Sequence, residues 1–405
     1  MSALLRLYQY LYPPSTPTKV DGALRFGILG AATIAPPALT QPALSHPEVI
    51  VRAVAARNLN KAKAFALKHN IPHAYGGPDG YQDLIDDPEI DAIYNPLPNG
   101  LHYEWTMKAL SAGKHVLLEK PAATTVTDTR AMFALAKKKN LVLLEAFHYR
   151  FHPANIRLKA ILDSGELGAV KSVDAFFCTP KGIHGNDDIR FNYALGGGAL
   201  MDTGCYSVSA VRHFTSNSHT HPTQSSIASA QSAPASPKNS KVDESTTAHV
   251  FLPSTSGTPS TNNTDASISA SITCSCSHPW KYGIIPLTMP RITLELEGGR
   301  VDLSAFVMPT LYHSLTVSKG KSARTEKVYS FADFPEGREG RNGEAWWTTY
   351  RYQLEAFVDR VKGRESSTGV WVEEEESVAN MAWIEAIYEK AGLGGRLPST
   401  YVHHE

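Results

Sequence analysis

The chain has 405 residues, of which 42% are hydrophobic and 19% charged, and its formal net charge is zero. This length suggests two or three domains with a sizeable core, and the zero net charge gives no bulk electrostatic reason to bind nucleic acid or an acidic membrane surface. Four cysteines are too few for a disulfide scaffold, Cys274-Ser-Cys276 has the wrong spacing for a CxxC pair, and no apolar run approaches the ~20 residues of a membrane span. We therefore expect a cytoplasmic protein with reduced thiols.

The first 22 residues are predicted to form an N-terminal arm. They begin MSALLRLYQYL, with one arginine among leucines and aromatic residues, and end in a spacer that contains Pro, Ser and Thr. The segment is too aromatic and too weakly charged for a good signal peptide. We expect a short helix that rests on a neighbouring surface.

Residues 23–148 are predicted to form an α/β domain. Their apolar runs include LRFGILGAA, VIVRAVAARN, DAIYNPLP, KHVLLEKP and LVLLEAF, and the segments between them have helical periodicity over about a dozen residues. Gly113 is the expected end of one of these helices. Strands that are apolar throughout and alternate with helices indicate a doubly wound parallel sheet, covered on both faces.

Residues 149–372 are predicted to form an α+β domain. Segments such as AVKSVDAFFCT, STTAHVFL, ASISASITCSCS and RITLELEGG alternate between apolar and polar positions, which predicts a largely antiparallel open sheet with one solvated face. Two stretches rich in Ser, Thr and Pro, 216–245 and 253–266, are predicted to be low-complexity insertions that do not order themselves. Residues 373–405 are predicted to be a C-terminal helix, whose acidic first turn suits the helix dipole, and a tail.

The first strand leads into a turn that resembles a phosphate-binding fingerprint. Gly30, Ala32 and Ala35 align with G-x-G-x-x-G/A, with alanine in place of the second glycine. A turn that only packs a helix against a strand would explain the same residues. Because the N-terminus of a helix suits phosphate and this is the first turn of the sheet, we expect Gly30, Ala32, Thr33 and Ile34 to contact a dinucleotide.

The second strand ends in Arg57 and Asn58. An NAD-selective site usually has an acidic residue here, which holds the ribose 2′-hydroxyl. Arg57 instead offers a cation and a fork of donors, which favours a 2′-phosphate and therefore NADP over NAD. The alternative is a solvated arginine at the end of a strand.

The fourth strand is followed by further candidate cofactor contacts, Pro96, Leu97, Asn99 and His102. They come at the carboxyl edge of the sheet, where open α/β folds bind ligands. Asn99 and His102 could instead only cap the next helix.

The fifth strand ends in Glu119-Lys120-Pro121 and is predicted to face the same crevice, because Pro121 forces a turn there. Lys120 could hold a ribose or a substrate hydroxyl and lower the pKa of a neighbouring group, whereas a surface lysine is the alternative. Glu119 is a candidate cofactor contact or a structural partner.

Asp202 and Tyr206 follow a triple glycine at 196–198 and are spaced to project from one face of a helix. Tyrosine is a poor base, with an ordinary pKa near 10. Beside a lysine its phenolate is favoured, so Tyr206 could accept a proton from a hydroxyl and Asp202 could hold the substrate. The alternative is a helix-capping aspartate beside an ordinary packed tyrosine.

These motifs together resemble the glucose–fructose oxidoreductase/inositol dehydrogenase (Gfo/Idh/MocA) family. The stretches that carry the resemblance are GILGAATIA, NPLPNGLHYEWTMKALSAGKHVLLEKP, LLEAFHYRFHP, GGGALMDTGCY, TTYRYQLEAFVDRV and SVANMAWIEAIYEKAG, in order from about residue 24 to 395. The chain looks most like the branch that contains dimeric dihydrodiol dehydrogenases and NADP-dependent D-xylose 1-dehydrogenases, where Asp-x-x-x-Tyr replaces Asp-x-x-x-His.

The resemblance implies a Rossmann domain, a C-terminal domain that binds substrate and often forms a homodimer through its open sheet, and no metal. It places the catalytic lysine, aspartate and tyrosine on Lys120, Asp202 and Tyr206. Arg150 is a further expected cofactor contact, and His184, Asp187 and Arg190 are expected substrate contacts.

The predicted function is NADP-dependent hydride transfer at a sugar, such as C1 of a D-xylose-like aldose, or at a cyclic trans-diol. Tyr206 would accept the hydroxyl proton, Lys120 would hold the ribose and substrate and lower the tyrosine pKa, and Asp202 would position the substrate. One alternative is an oxidoreductase that recycles a tightly bound cofactor between two sugars. Another is a non-enzymatic NADP-sensing regulator of the same fold.

Overall fold

The structure, a computed structural model, describes residues 2–185, 187–215, 226–236, 239–253, 267–280, 289–334 and 341–403. Two sheets organise these residues, one of six strands and one of eight. Within the two predicted insertions, residues 216–225, 237–238 and 254–266 lie outside the described part of the chain.

The first sheet is parallel throughout, with strand order β3-β2-β1-β4-β5-β6. Its strands are β1 Leu24–Leu29, β2 Val49–Ala56, β3 His73–Gly76, β4 Ala92–Asn95, β5 His115–Leu118 and β6 Leu143–Glu145. Its helices are α2 Gln41–Leu44, α3 Leu59–Lys68, α4 Gly80–Asp86, α5 His102–Ser111 and α6 Val126–Lys138. The predicted doubly wound Rossmann sheet is confirmed, and its strand order reverses at β1, which opens a crevice at the carboxyl ends.

Successive residues of the central strands enter two different hydrophobic cores. In β1, Ile28 packs in one core and Leu29 in the other, and in β4 Tyr94 and Ile93 divide in the same way. All four side chains are fully buried. This is why these strands have apolar residues at successive positions rather than only at every second one.

The second sheet has strand order β14-β13-β12-β11-β7-β10-β9-β8. Its strands are β7 Val170–Pro180, β8 Ile227–Ser236, β9 Asn239–Pro253, β10 Ser267–His278, β11 Arg291–Leu296, β12 Gly299–Ser304, β13 Ser314–Lys319 and β14 Ser322–Glu326. Only the β7–β10 pair is parallel. The remaining helices are α7 Pro153–Asp163, α8 Cys205–Phe214, α9 Thr349–Val361 and α10 Glu374–Lys390. Ile268, Ala270 and Ile272 of β10 are buried while Ser267 and Ser269 are exposed, which confirms the largely antiparallel sheet with one solvated face.

The prediction of an unstructured insertion over 216–245 is wrong for residues 227–236 and 239–245. They form β8 and the beginning of β9, which pair in an antiparallel ladder from Ile227 opposite Val250 onward. Backbone hydrogen bonds do not depend on the side chains, and a few apolar positions suffice because Ile227, Val242 and Val250 are all buried on one face. Most of the remaining positions are small or polar, such as Ser229, Thr246 and Ala248.

The N-terminal arm contains a short helix, α1 Ala3–Leu11, as predicted. Arg6 is buried, and its guanidinium donates to the carbonyl oxygens of Thr310 (2.7 Å) and Leu311 (2.6 Å). On the first domain, Gln41 Nε2 donates to Tyr10 O at 2.6 Å. The helix therefore rests on both domains.

The C-terminal segment returns to the first domain. Helix α10 begins with a reciprocal cap between Glu373 and Glu376, which suits its acidic first turn. Farther along, Glu385 Oε1 accepts from Val126 N (2.8 Å) and Leu397 O accepts from Thr124 Oγ1 (2.8 Å). In the parts of the chain that the structure covers, no helix combines the length and apolarity of a membrane span.

Candidate active site

The turn after β1 presents free backbone donors to the crevice. Gly30 has a φ of 92°, and its N–H donates to Ala55 O at 2.7 Å. The N–H groups of Ala32, Thr33 and Ile34 donate no hydrogen bond to any other described residue. The helical segment that continues into α2 begins at Pro36, so these donors lie at its positive end and fit an anionic pyrophosphate.

A cation, Arg57, follows directly after the carboxyl end of β2. The Arg57 side chain is exposed and forms no ion pair with another residue that the structure describes. Asn58 caps α3, since its side-chain oxygen accepts from Lys61 N at 3.1 Å. Arg57 is thus available to a phosphate, whereas the Asn58 side chain is engaged by the helix.

The residues after β4 lie at one side of the crevice and form hydrogen bonds with the neighbouring loops. Both ring nitrogens of buried His102 meet carbonyl oxygens, Nδ1 that of Pro121 (2.9 Å) and Nε2 that of Leu97 (2.7 Å). The expected cofactor contact by His102 is therefore corrected, because neither nitrogen is left for a ligand. Asn99 Nδ2 donates to Gly196 O (3.0 Å) and ties this turn to the triple glycine, and Pro96 is buried.

Lys120 and Asp202 meet across the two domains. Lys120 Nζ donates to Asp202 Oδ1 (2.8 Å) and to its carbonyl oxygen (2.9 Å), and Arg190 Nε donates to Asp202 Oδ2 (2.6 Å). Burial alone would raise the pKa of Asp202, but Lys120 and Arg190 outweigh it and hold that pKa well below its usual range. Burial opposes the charge of Lys120 as well, yet Asp202 and Cys205 raise its pKa above the ordinary value. Both groups are charged.

The Glu119 side chain bonds to its neighbours within the protein, and its Oε2 accepts from Lys120 N at 3.3 Å. Its Oε1 accepts from the Tyr94 hydroxyl at 2.8 Å, and the side chain is buried. Burial raises the pKa of Glu119, although Lys120 opposes this. The structure assigns Glu119 a structural partner, Tyr94, rather than an open position for a cofactor contact.

Tyr206 is next to Lys120, but the two polar groups do not bond. Lys120 Nζ lies 4.9 Å from the centroid of the tyrosine ring, over its face, and the ring packs among Phe147, Tyr149 and Phe177. Burial raises the pKa of Tyr206 well above its ordinary value. The expectation that Lys120 lowers this pKa is corrected, since Asp202 takes the ammonium group.

The hydrogen-bond partner of Tyr206 is a residue that sequence reasoning missed. Tyr206 Oη lies 2.8 Å from His148 Nε2, and His148 Nδ1 lies 2.8 Å from Thr349 Oγ1. The ring of Tyr350 packs against the imidazole at 4.0 Å between centroids. A signal was present, because His148 follows the carboxyl end of β6, the same edge at which Lys120 follows β5.

Three other predicted contacts are placed differently. Arg150 is buried in an ion pair with Glu376 of α10 (2.9 Å), so its charge is already matched. Asp187 is exposed, and its neighbour Asp188 is the residue that contacts Arg190, at 3.0 Å. The His184 ring meets Thr179 Oγ1 at 3.0 Å, and burial lowers its pKa.

A cavity of about 50 Å³ lies between Asn99, Arg190, Gly197 and Asp202. It has room for only a few waters. Arg190 lines this cavity and its Nε donates to Asp202 Oδ2, so a hydroxyl that binds this oxygen would compete with Arg190. Within the described residues no cluster of three or more His, Cys, Asp or Glu side chains could hold a metal ion.

Two family models match most of the chain. Residues 24–147 match the model described as "Oxidoreductase family, NAD-binding Rossmann fold", and residues 156–300 match "GFO/IDH/MocA C-terminal domain".

Curated relatives are similar over a shorter stretch. A D-xylose 1-dehydrogenase (NADP(+)) of Haloferax volcanii is 44% identical over 193 residues, 47% of this chain and 57% of the relative. A dTDP-3,4-didehydro-2,6-dideoxy-alpha-D-glucose 3-reductase of Saccharopolyspora spinosa is 41% identical over 191 residues, 47% of this chain and 56% of the relative. A trans-1,2-dihydrobenzene-1,2-diol dehydrogenase of Xenopus laevis is 43% identical over 172 residues, 42% and 49% of the two chains. The chain spans about half the length of the curated relatives it matches.

Solved structures match over nearly the whole fold. A 3-ketoreductase of Actinomadura kijaniata, solved with NADP and TDP-benzene, superposes with a TM-score of 0.71 at 25% identity, covering 91% of this chain and 97% of that one. An aldose–aldose oxidoreductase of Caulobacter crescentus superposes with a TM-score of 0.72 at 24% identity, with the same coverage.

Proposed function

The chain belongs to the Gfo/Idh/MocA oxidoreductase family, and from that premise we propose that it is an NADP-dependent oxidoreductase. It transfers hydride between the nicotinamide and a carbon that bears a hydroxyl group, in a sugar such as a D-xylose-like aldose or in a cyclic trans-diol. The observation that carries the proposal is the meeting of Lys120, Asp202 and Tyr206 at the carboxyl edge of the parallel sheet, next to a turn with free backbone donors.

The residues of the crevice fit a phosphorylated dinucleotide. The N–H groups of Ala32, Thr33 and Ile34, which bond to no other described residue, suit its pyrophosphate. The Arg57 guanidinium forms no ion pair with the described residues and suits a 2′-phosphate better than a 2′-hydroxyl. When bound, the nicotinamide supplies the hydride chemistry. The names of the Haloferax and Actinomadura relatives, both of which mention NADP, support this choice over NAD.

Tyr206 is the group that exchanges the proton with the substrate. Because burial keeps its hydroxyl protonated, Tyr206 gives its proton to a carbonyl oxygen in the reducing direction. In the oxidising direction its phenolate takes the proton of the substrate hydroxyl while that carbon loses hydride, and an aldose oxidised at C1 becomes the lactone. Lys120 donates to the reacting oxygen, and Asp202 holds an adjacent hydroxyl once Arg190 has moved away.

The substrate is tested with a panel of D-xylose, D-glucose and a trans-dihydrodiol, each with NADP and with NAD, followed by nicotinamide absorbance. We expect reduced cofactor to form with at least one substrate and the KM for NADP to be lower than for NAD. Tight NADP binding without turnover of any of them would contradict the proposal and favour the sensing regulator. Cofactor that survives gel filtration would favour the enzyme that recycles it between two sugars.

We propose that the protein is cytoplasmic and forms a homodimer. The four cysteines are free, buried thiols, which suits a reducing compartment. The dimer is proposed to form through the solvated face of the eight-stranded sheet, where Phe251 is 50% exposed. Analytical ultracentrifugation should give the mass of a dimer for the wild type, and a wild-type monomer would exclude this arrangement.

A further inference from the structure

Tyr206 is joined through His148 to Thr349 by two consecutive hydrogen bonds, each 2.8 Å long. The function proposed above assigns no role to His148 or Thr349. His148 and Thr349 are each 1% exposed, so water does not compete for their polar atoms. The ring of Tyr350, 4.0 Å from the imidazole between centroids, restricts its rotation.

His148 is a neutral imidazole. Burial lowers its pKa to about 3, and the charge of Lys120 acts in the same direction. A neutral imidazole carries one ring proton, so one nitrogen donates and the other accepts.

The position of that proton follows from which hydroxyl can be left without a protein acceptor. Thr349 Oγ1 has no partner but His148 Nδ1 among the described residues, and Tyr206 Oη has none but His148 Nε2. Because the neutral imidazole accepts from only one of the two hydroxyls, the proton of the other hydroxyl has no acceptor among the described residues. On Thr349 it would be buried, at a cost of about 1–3 kcal/mol. On Tyr206, which is 4% exposed and has Lys120 over its ring, it is available to the substrate that the proposed function places there.

We propose that His148 is a positioning residue whose Nε2–H donates to the Tyr206 oxygen, and that Thr349 selects this tautomer by donating to Nδ1. The inference rests on the proposed function, since it assumes that Tyr206 exchanges the substrate proton. The bond from His148 turns the proton of Tyr206 toward the substrate. It also stabilises the phenolate that remains once the proton has left, because a donor to a charged group favours the charged form.

The hydrogen bond from His148 is the direct contact by which the protein sets the pKa of the Tyr206 hydroxyl. The titratable groups that surround Tyr206 and His148 come from several elements and are Lys120, Glu119, Tyr149, Asp202, Cys205 and Tyr350. In the described part of the chain none of them donates a hydrogen bond to Tyr206 Oη. These groups change the pKa of Tyr206 through space, whereas His148 changes it through a hydrogen bond.

Two matched pairs of variants test the inference in the enzyme. His148→Gln keeps an N–H near the position of Nε2, whereas His148→Met fills the space without a donor; Thr349→Ser keeps the hydroxyl, whereas Thr349→Val removes it. With the substrate that the panel identifies, we expect the rise of kcat with pH in the oxidising direction to move by about one pH unit to higher pH in the Met and Val variants. This corresponds to about tenfold lower kcat below the pKa. The Gln and Ser variants should keep the wild-type profile, and KM should change little in all four. Equal profiles within each pair would overturn the inference.

A second measurement does not need turnover. Long-range ¹H–¹⁵N spectra of the wild-type protein with labelled histidine report which ring nitrogen carries the proton, and His148 is assigned by its absence from His148→Gln. We expect the proton on Nε2 in the wild type and in Thr349→Ser, whereas in Thr349→Val, which has no hydroxyl to donate to Nδ1, a fraction of the Nδ1–H tautomer should appear. A wild-type proton on Nδ1 would overturn the inference even in an active enzyme. Lack of turnover with a proton on Nε2 would instead count against the proposed function.

Discussion

At the scale of single residues, the sequence predicts Lys120, Asp202 and Tyr206 as candidate reacting groups but does not predict their hydrogen-bond partners. The sequence groups them because Lys120 follows the end of a strand and because the spacing of Asp202 and Tyr206 places both on one face of a helix. The sequence could not show that Asp202 rather than Tyr206 binds the lysine, because Leu200–Gly204 is a wider helical segment that shifts Asp202 relative to α8. It could not show His148 either, since tertiary packing decides a contact between residues 58 positions apart.

Arg57 carries the prediction on cofactor choice. Arg57→Ala should raise the KM for NADP by about 10- to 100-fold, as expected for the loss of a charge-assisted hydrogen bond worth about 1.5–3 kcal/mol, and should change the KM for NAD little. Steady-state kinetics with both cofactors measures this. Arg130→Ala, which removes an exposed arginine of α6, is the control and should change neither value. An equal rise for NADP and NAD would remove Arg57 from the proposed 2′-phosphate site.

At the scale of elements, the triple glycine is held in place by a buried network behind it. Asp243 of β9 pairs with Arg396 (2.9 Å) and accepts from the Tyr388 hydroxyl (2.7 Å), while its second oxygen accepts from Leu200 N (2.8 Å). Arg396 Nε also donates to Gly197 O at 2.8 Å. The network therefore joins the loop before Asp202 to β9, α10 and the tail, and it includes residues that the sequence had placed in an unstructured insertion.

Gly198 is the position at which this network is most easily broken. Its φ is 140°, and a Cβ there would lie 2.6 Å from both Arg396 Nη2 and Tyr388 Oη. Gly198→Ala should lower the free energy of unfolding by about 3 kcal/mol, the scale of a disrupted buried ion pair, and should lower kcat as well. Urea unfolding measures the stability.

Gly320→Ala is the matched control for Gly198→Ala. Gly320 has a φ of 60° with open space around it, so alanine there should cost only about 1 kcal/mol of backbone strain. If both variants lost the same stability, the network behind the glycine loop would not carry the effect.

At the scale of the whole molecule, the two-sheet architecture could be predicted because each sheet has its own periodicity. Strands buried on both faces are apolar throughout, and strands with one solvated face alternate, so Ile28–Leu29 and Ile268–Ala270 already distinguish the sheets. At β8 and β9, where small and polar residues predominate, composition predicts no order, but pairing with a neighbouring strand supplies it. The contacts of Arg6 and Leu397, which connect segments distant in sequence, leave no local pattern.

The most direct test of the proposed function compares Tyr206→Phe with Tyr149→Phe in the oxidation of the substrate that the panel identifies. Both changes remove one buried hydroxyl from the same aromatic cluster, since the rings lie 6.1 Å apart, but the Tyr149 hydroxyl meets Ser209 and not the crevice. We predict that Tyr206→Phe lowers kcat by about 10²- to 10⁴-fold, the usual contribution of a positioned proton donor or acceptor. NADP affinity should remain within about twofold, because the proposed cofactor contacts lie elsewhere, and Tyr149→Phe should keep most of its turnover. A Tyr206→Phe protein with wild-type kcat would contradict the account.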